Sequence, residues 1–319
     1  MLLLGAMLTQ ILHAVLVVAA APVLVGGVRW LKARLMGRRG PHPMQPWRDI
    51  RKLLLKRPVL AESASIVSRA APYLALGATW CAAGLVPGFA FGMALAPVAD
   101  MLVIAGLLTL ARVALALNAH DAGTPFGALG ATREMHFAVF AEPALLVCVM
   151  VFAVLVGSTN LNAIGFAFMD GPVGLRVSLL FAALALIAVA LAENARIPVD
   201  NPATHLELTM VHEAMLLEAS GRHLAAWELQ AALKLLVWLG LLAALFLPFG
   251  AAPPGSGPFA WGLGLLTWVG KIALLALGLA VFECSIAKLR VFRVPEFMGG
   301  AMLLALLAAA LIFVSTGLA

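Results

Sequence analysis

The sequence predicts an all-α integral membrane protein of about eight transmembrane helices, with both termini on the outer side and long loops on the inner, cytoplasmic side. Three observations carry this. Of 319 residues, 63% are hydrophobic and only 11% charged, where a soluble domain has roughly 45–50% and about 25%. The apolar residues form continuous runs rather than an alternation, which excludes a transmembrane β-barrel. The basic residues are segregated: Arg29–Arg57 holds ten against one acid, Asp49, and the rest of the chain holds eleven against fourteen. Disordered, collagen-like and disulfide-scaffold classes are excluded by the same composition.

A hydrocarbon core about 30 Å thick takes roughly 20 residues of helix. Eight segments qualify, near 8–28, 72–95, 101–118, 137–157, 174–192, 229–249, 262–282 and 298–317. Residues 1–8 lack the basic side chain that opens a cleaved signal, and the first run meets Arg29, Lys32 and Arg34, so it reads as a retained anchor. The second is interrupted by Pro87, Gly88 and Pro97. With the N-terminus outside, the inner loops are 29–71, 119–136, 193–228 and 283–297, and they hold nearly all the Lys and Arg. The outer loops near 96–100, 158–173 and 250–261 hold Asp100, Asp170 and no basic side chain. That asymmetry sets the orientation. The net charge of +6 therefore reports one loop, and a nucleic-acid partner is not expected, since that needs basic residues and stacking aromatics spread over a folded face. Within the first loop, Trp47, Ile50, Leu53 and Leu54 sit at helical spacing with Arg48, Arg51 and Lys52 between them, the pattern of an interfacial helix lying on the lipid bilayer. No repeat or hinge is visible, so residues 1–319 read as one polytopic membrane domain.

The chain shows no self-contained catalytic or metal site. Cys81, Cys148 and Cys284 lie apart in apolar runs with no C-x-x-C pair, so no cofactor bound by this chain alone is expected. His212-Glu213 opens an H-E-x-x-H pattern, but position 216 is Leu.

Ionisable groups inside a bilayer cost a few kcal/mol each, so they are the informative residues. Arg112, Glu142, Glu193, Lys234, Lys271 and Glu283 lie within or at the ends of apolar segments. Snorkelling accounts for Arg112, Glu193 and Glu283 as well as function does. Lys271 is about nine residues from either end of its segment, roughly 13 Å at 1.5 Å per residue, which exceeds a lysine's reach. A buried carboxylate partner or a water-filled path is expected there.

The loop 193–228 holds six of the fifteen acids, Glu193, Asp200, Glu207, Glu213, Glu218 and Glu228, with His205, His212 and His223. Asn201-Pro202 is a helix start, and a helix from Pro202 to about Ala219 is expected. On it Glu207 and Glu218 share one face and His205 and His212 another. Spaced carboxylates suit a proton relay or the docking of a basic partner, and a solvated amphipathic helix is the bland alternative.

Several of these stretches resemble one family. Ala192-Glu-Asn-Ala-Arg-Ile-Pro-Val-Asp-Asn-Pro-Ala-Thr-His-Leu-Glu-Leu, running on to Glu218-Ala-Ser-Gly-Arg222, is similar to the central loop of the eight-helix subunit at the heel of respiratory complex I. The same loop occurs in its counterparts in energy-converting, membrane-bound nickel–iron hydrogenases, including formate hydrogenlyase. Arg34-Leu-Met-Gly-Arg-Arg-Gly-Pro41 with Gln45-Pro-Trp-Arg-Asp-Ile-Arg-Lys-Leu-Leu resembles the family's first inner loop. Asp121-Ala-Gly-Thr-Pro-Phe-Gly-Ala-Leu-Gly-Ala-Thr-Arg-Glu-Met135 and Ala141-Glu-Pro-Ala-Leu resemble the second, in its hydrogenase-type form. Complex I members carry an acidic, Pro-Phe-Asp-containing central loop beside a quinone chamber. Here Arg196-Ile-Pro-Val-Asp-Asn-Pro stands instead, which favours the hydrogenase branch over a quinone-site subunit of a NADH dehydrogenase-type complex.

The resemblance implies a non-catalytic anchor and coupling subunit of a multi-pass complex in a prokaryotic cytoplasmic membrane. Its partners would be hydrogenase-like large and small subunits, a ferredoxin-like iron–sulfur subunit and antiporter-like membrane subunits. Nickel–iron and iron–sulfur centres would sit in the partners. Electron transfer there would be coupled to translocation of H⁺ or Na⁺. Carried onto this chain, Glu193, Arg196, Asp200, Glu207, Glu213 and Glu218 would line the junction with the soluble arm, and Glu142, Lys234, Lys271 and Glu283 would continue an ion path. A stand-alone secondary transporter is the alternative of a different class.

Overall fold

Helix starts in this chain are written in local chemistry. The Ser65 hydroxyl accepts from Val67 N–H and the Asp100 carboxylate from Leu102 N–H, each satisfying a first-turn donor. Thr124-Pro125 and Gly257-Pro258 open helices with proline at a position whose N–H has no helical partner. The computed structural model describes residues 2–170, 176–200, 210–290 and 293–317. Among them are eleven α-helices and no β-strand.

Six are long and apolar enough to cross a membrane: α1 (Leu2–Leu35), α4 (Met101–Asp121), α5 (Pro125–Val156), α9 (Gly221–Phe246), α10 (Pro258–Ser285) and α11 (Val294–Gly317). α3 (Ile66–Leu85) and α7 (Val177–Glu193) are the two other helices that overlap the eight expected segments, and α7 is apolar over 17 residues. The remainder are the short α2 (Gln45–Leu54), α6 (Leu161–Asp170) and α8 (His212–Leu216). The chain is an all-α, multi-pass membrane protein.

The second expected segment ends ten residues early. α3 stops at Leu85 because Val86 is extended ahead of Pro87, as the residue before a proline tends to be. The chain then turns across the bundle end, where Phe91 N–H donates to Ala252 O at 2.9 Å and Ala252 N–H to Phe89 O at 2.8 Å. α5 begins at Pro125 rather than near 137, adding three turns that carry Arg133 and Glu134.

The amphipathic helix expected in the first inner loop is α2. Its Ile50 is buried, and Trp47 Nε1 donates to Ala19 O at 3.0 Å, tying it to α1. The approach depends on Gly26 of α1, where a Cβ would stand 1.9 Å from Pro43 O.

The expected helix from Pro202 to Ala219 is a correction. Residues 201–209, with Asn201, His205 and Glu207, lie outside the described residues; among the described ones Met210 and Val211 are non-helical and His212–Leu216 is helix. Tertiary partners take the backbone groups that a helix would have used. Arg133 Nη1 donates to Met210 O at 3.0 Å, and His212 N–H reaches Asp200 Oδ2 at 3.4 Å. Met210, Val211, Ala214, Met215 and Leu216 are buried, so this stretch is packed on more than one side rather than solvated.

α9 is the axis of the core. Trp227, Leu233, Trp238 and Leu245 are almost wholly buried, and α1, α2, α3 and α10 pack around it. α11 closes the far side against α5 and α7. α7 and α10 run from one end of the bundle to the other, and α9 runs back. Their chain directions bring Glu193 at the end of α7 beside Lys234 in the middle of α9, and Glu283 at the end of α10 beside Lys32 at the end of α1.

Candidate functional site

The site begins where α7 ends. Arg196 N–H donates to Leu191 O at 2.9 Å and Ala195 N–H to Ala192 O at 3.0 Å, with Ala195 left-handed at φ 48°. This is the paired 6→1 and 5→2 closure that terminates helices. It leaves Glu193 on the helix and turns Arg196 away from it, three residues on. The two side chains consequently serve two adjacent ionic groups.

The first group is buried between α4, α5, α7 and α9. The Arg112 guanidinium, whose side chain is 4% exposed, donates through Nη1 to Glu142 Oε1 at 2.7 Å and through Nη2 to Glu193 Oε1. Lys234 Nζ lies 3.0 Å from Glu193 Oε2. Thr109 Oγ1 donates to Glu142 Oε1 at 3.1 Å. Glu193 therefore holds two cations, one on each oxygen. Glu134 is buried on α5 within electrostatic reach of Lys234, Arg112, Glu193 and Asp200. Among the described residues the group contains three carboxylates and two cations. One turn before Lys234, the buried Gln230 donates to Thr79 Oγ1 at 3.0 Å, which extends the polar contacts to α3.

The second group joins α1, α10 and the loop after α7. Glu283 Oε2 lies 2.6 Å from Lys32 Nζ, and Glu283 Oε1 lies 3.5 Å from Arg196 Nη1. Burial pulls the Arg196 guanidinium below its ordinary value, Glu283 opposes this and Arg29 reinforces it. The third group is Asp200, whose Oδ1 lies 2.7 Å from Lys288 Nζ. Ion pairs of this kind offset the few kcal/mol that each lone charge costs in lipid.

The sequence-predicted residues divide accordingly. Glu142, Glu193 and Lys234 come together. Glu283, Arg196 and Asp200 stand beside them in the neighbouring pairs. Glu213 is half-buried, and Glu218 is exposed beside Asn118, His223 and Trp227. Glu207 lies outside the described residues. Lys271 stands apart: among the described residues no carboxylate is within ion-pair distance, and its ammonium lies over the Phe249 ring at 4.9 Å. It borders a cavity of about 10 Å³ with Pro87, Gly88 and Trp268, room for one water. Sequence reasoning gave Arg112 no place in the path and missed Glu134, Lys32 and Lys288. Arg112 was legible only as a buried charge needing a partner, and Glu134 lay in what read as a loop.

His212 gives this junction a pH dependence. Burial, with help from Lys234 and against Asp200, lowers its imidazole to about 4 from an ordinary 6.5. The folded pKa is below the unfolded one, so the neutral imidazole contributes fully above about pH 6.5, and that contribution is lost as pH falls toward 4. The thermal midpoint of the purified protein is expected to drop over that window, and His212→Gln should flatten the dependence. Equal slopes for the two proteins would show that His212 does not titrate this way.

A helical bundle whose interior charges are paired at one end defines a polytopic membrane protein with a buried acid–base cluster. The chain belongs to the NADH dehydrogenase family, whose model matches residues 7–315. It is 33% identical over 292 residues to "Formate hydrogenlyase subunit 4" of Escherichia coli (strain K12), covering 91% of this chain and 93% of that protein. It is 34% identical over 243 residues to "Hydrogenase-4 component C" of the same organism, covering 75% of each. "NADH-quinone oxidoreductase subunit 8" of Rhodothermus marinus is 27% identical over 255 residues, covering 74% of this chain and 71% of that protein. A solved structure, the membrane-bound sulfane sulfur reductase (MBS), an archaeal respiratory membrane complex, contains a chain with the same fold. Its TM-score is 0.79 at 20% identity, with 97% of this chain and 99% of that one covered. The resemblance expected from the inner loops therefore holds in both its hydrogenase and its complex I forms.

Proposed function

We propose that this chain is the membrane anchor and coupling subunit of a hydrogenase or formate hydrogenlyase-type complex, seated in a prokaryotic cytoplasmic membrane. In this reading a soluble arm with nickel–iron and iron–sulfur centres docks on the face formed by Arg196, Asp200, Glu213, Glu218 and the basic first loop. Antiporter-like subunits take up the ion-translocating work along the bilayer. The observation that carries the reading is the position of Glu193. It holds Arg112 and Lys234 at the point where the paired interior meets the inner loop. A cluster with two cations and three carboxylates carries one acid beyond what its cations balance, and such a group can take up and release a proton as the loop above it moves. Glu142, whose side chain is 39% exposed, is the way out of the cluster, and Lys271 a separate station beside the turn that follows α9. The greater identity to hydrogenase-type relatives supports that branch over a quinone-reducing one.

The test uses the intact complex in sealed vesicles. Glu142→Gln and Lys271→Met are expected to lower redox-driven ion uptake by about tenfold, the equivalent of roughly 1.4 kcal/mol, with assembly and electron transfer retained. Unchanged uptake in assembled complexes would remove both residues from the path. Purification separates the other class of function: a stand-alone transporter comes out alone, and a coupling subunit brings soluble redox proteins with it.

A further inference from the structure

A cavity of about 460 Å³ lies between α7, α9 and α10 and ends beside the Arg196–Glu283 pair. Its walls are apolar, from Ile187 on α7, Leu239 and Leu242 on α9, and Leu275 and Leu279 on α10. Along α9 it extends from Leu235 to Phe246, about 16 Å at 1.5 Å per residue. That is slightly more than half of a hydrocarbon core roughly 30 Å thick, the depth of a single leaflet. The cavity is polar at one end only, where Asn194 and Arg196 line it.

That end carries surplus positive charge. Among the described residues the Arg196 guanidinium has one ion pair, a long contact to Glu283 at 3.5 Å. Glu283 is already taken by Lys32 at 2.6 Å, and Arg29 is close enough to act on Arg196. Arg29 is also within reach of Glu228 on α9, so among the described residues three cations face two carboxylates and one positive charge is left over. An apolar slot one leaflet deep with a net positive mouth complements one kind of molecule. We propose that it seats an acyl chain of an anionic phospholipid from the leaflet on the side of the basic loops, with the phosphate at Arg196 and its charge balanced by Lys32 and Arg29. A neutral head group would leave the surplus charge uncompensated, and a zwitterionic one would cancel it only in part. The bound lipid would brace the turn that separates Glu193 from Arg196, making the spacing of the two ionic groups sensitive to lipid composition.

The experiment uses the intact complex in its membrane, with phosphatidylglycerol and phosphatidylcholine analogues bearing a photoreactive group on the acyl tail. Phosphatidylglycerol is expected to label the wall at Leu239 and Leu279 in preference to phosphatidylcholine. Arg196→Gln or Arg29→Gln should each reduce that labelling about fivefold, the contribution of one basic side chain near an anionic surface. Gly278→Leu places a side chain in the slot where a Cβ meets nothing within 4 Å, so it should abolish labelling in a normally assembled complex. Equal labelling by both lipids would reduce the slot to ordinary lipid-facing surface and overturn the proposal. So would labelling that persists in Gly278→Leu, or a wall that crosslinks to a neighbouring polypeptide and to no lipid.

Discussion

Arg112→Leu is expected to remove the subunit from the membrane almost entirely. Leucine keeps the aliphatic stem but leaves the space of the buried guanidinium unfilled, so a packing loss adds to the electrostatic one. Arg112 is the shared donor for Glu142 and Glu193, and its removal leaves Glu193, with a side chain 4% exposed, held only by Lys234. Breaking a buried pair by deleting one partner costs about 3–5 kcal/mol, a large fraction of a protein's net stability. The measurement is the amount of subunit and assembled complex in membranes. Glu193→Leu in the same chain should not restore it, because Lys234 then loses its carboxylate. Arg112→Lys should restore it only in part, since one ammonium lacks the planar fork that reaches two acids at once. Wild-type levels of Arg112→Leu would show that the guanidinium is not shared as described.

Gly221→Val is expected to have the second-largest effect, through the backbone. Gly221 opens α9 at φ 51°, and a Cβ there would stand 2.6 Å from Arg57 O, 2.7 Å from Arg57 C and 2.8 Å from Lys56 O. The left-handed conformation alone costs a non-glycine residue roughly 1–2 kcal/mol, more for a β-branched one. The overlap is with main-chain atoms, which cannot rotate aside. The neighbouring contacts depend on the same approach: Ser220 Oγ donates to Val59 O at 2.9 Å and accepts from Val59 N–H at 2.7 Å. The first inner loop would be forced off the base of α9, and trypsin should cut after Lys56 much faster, while the Arg57-Pro58 bond resists it in every variant. Gly221→Asn tolerates the left-handed angle but still carries a Cβ, so it should show the same cleavage. Slow cleavage in both variants would mean that the loop is not held there.

How much was legible in the sequence depended on how local the cause was. The helical bundle followed from composition and run length, and α2 from four apolar positions at helical spacing. The end of α3 lay in the Val86-Pro87 step, although the apolar run continued past it. The start of α5 lay in Thr124-Pro125, but Arg133, Glu134 and His136 lowered the hydropathy of its first turns, and they read as loop. The ionic pairs were least legible because their cause is tertiary. Arg112 and Glu193 are 81 residues apart and each alone fits snorkelling equally well. At Lys271 a buried carboxylate partner or a water-filled path was expected from its distance to the segment ends, and the structure places an aromatic face, Phe249, against its ammonium. The helix expected over Pro202–Ala219 had good local signals as far as they went, and Arg133 and Asp200 took up the backbone groups around Met210 and His212 instead.

The proposed coupling of redox work to ion movement through the buried acid–base cluster has its sharpest test at Glu134. It is the carboxylate beyond those that the two cations balance, so Glu134→Gln removes the surplus without orphaning a cation. The measurement is ions taken up per electron transferred by the intact complex in sealed vesicles. With the cluster as the coupling element, electron transfer continues while the ratio falls by about tenfold, as loss of roughly 1.4 kcal/mol of coupling would give. An unchanged ratio in a fully assembled Glu134→Gln complex would contradict it.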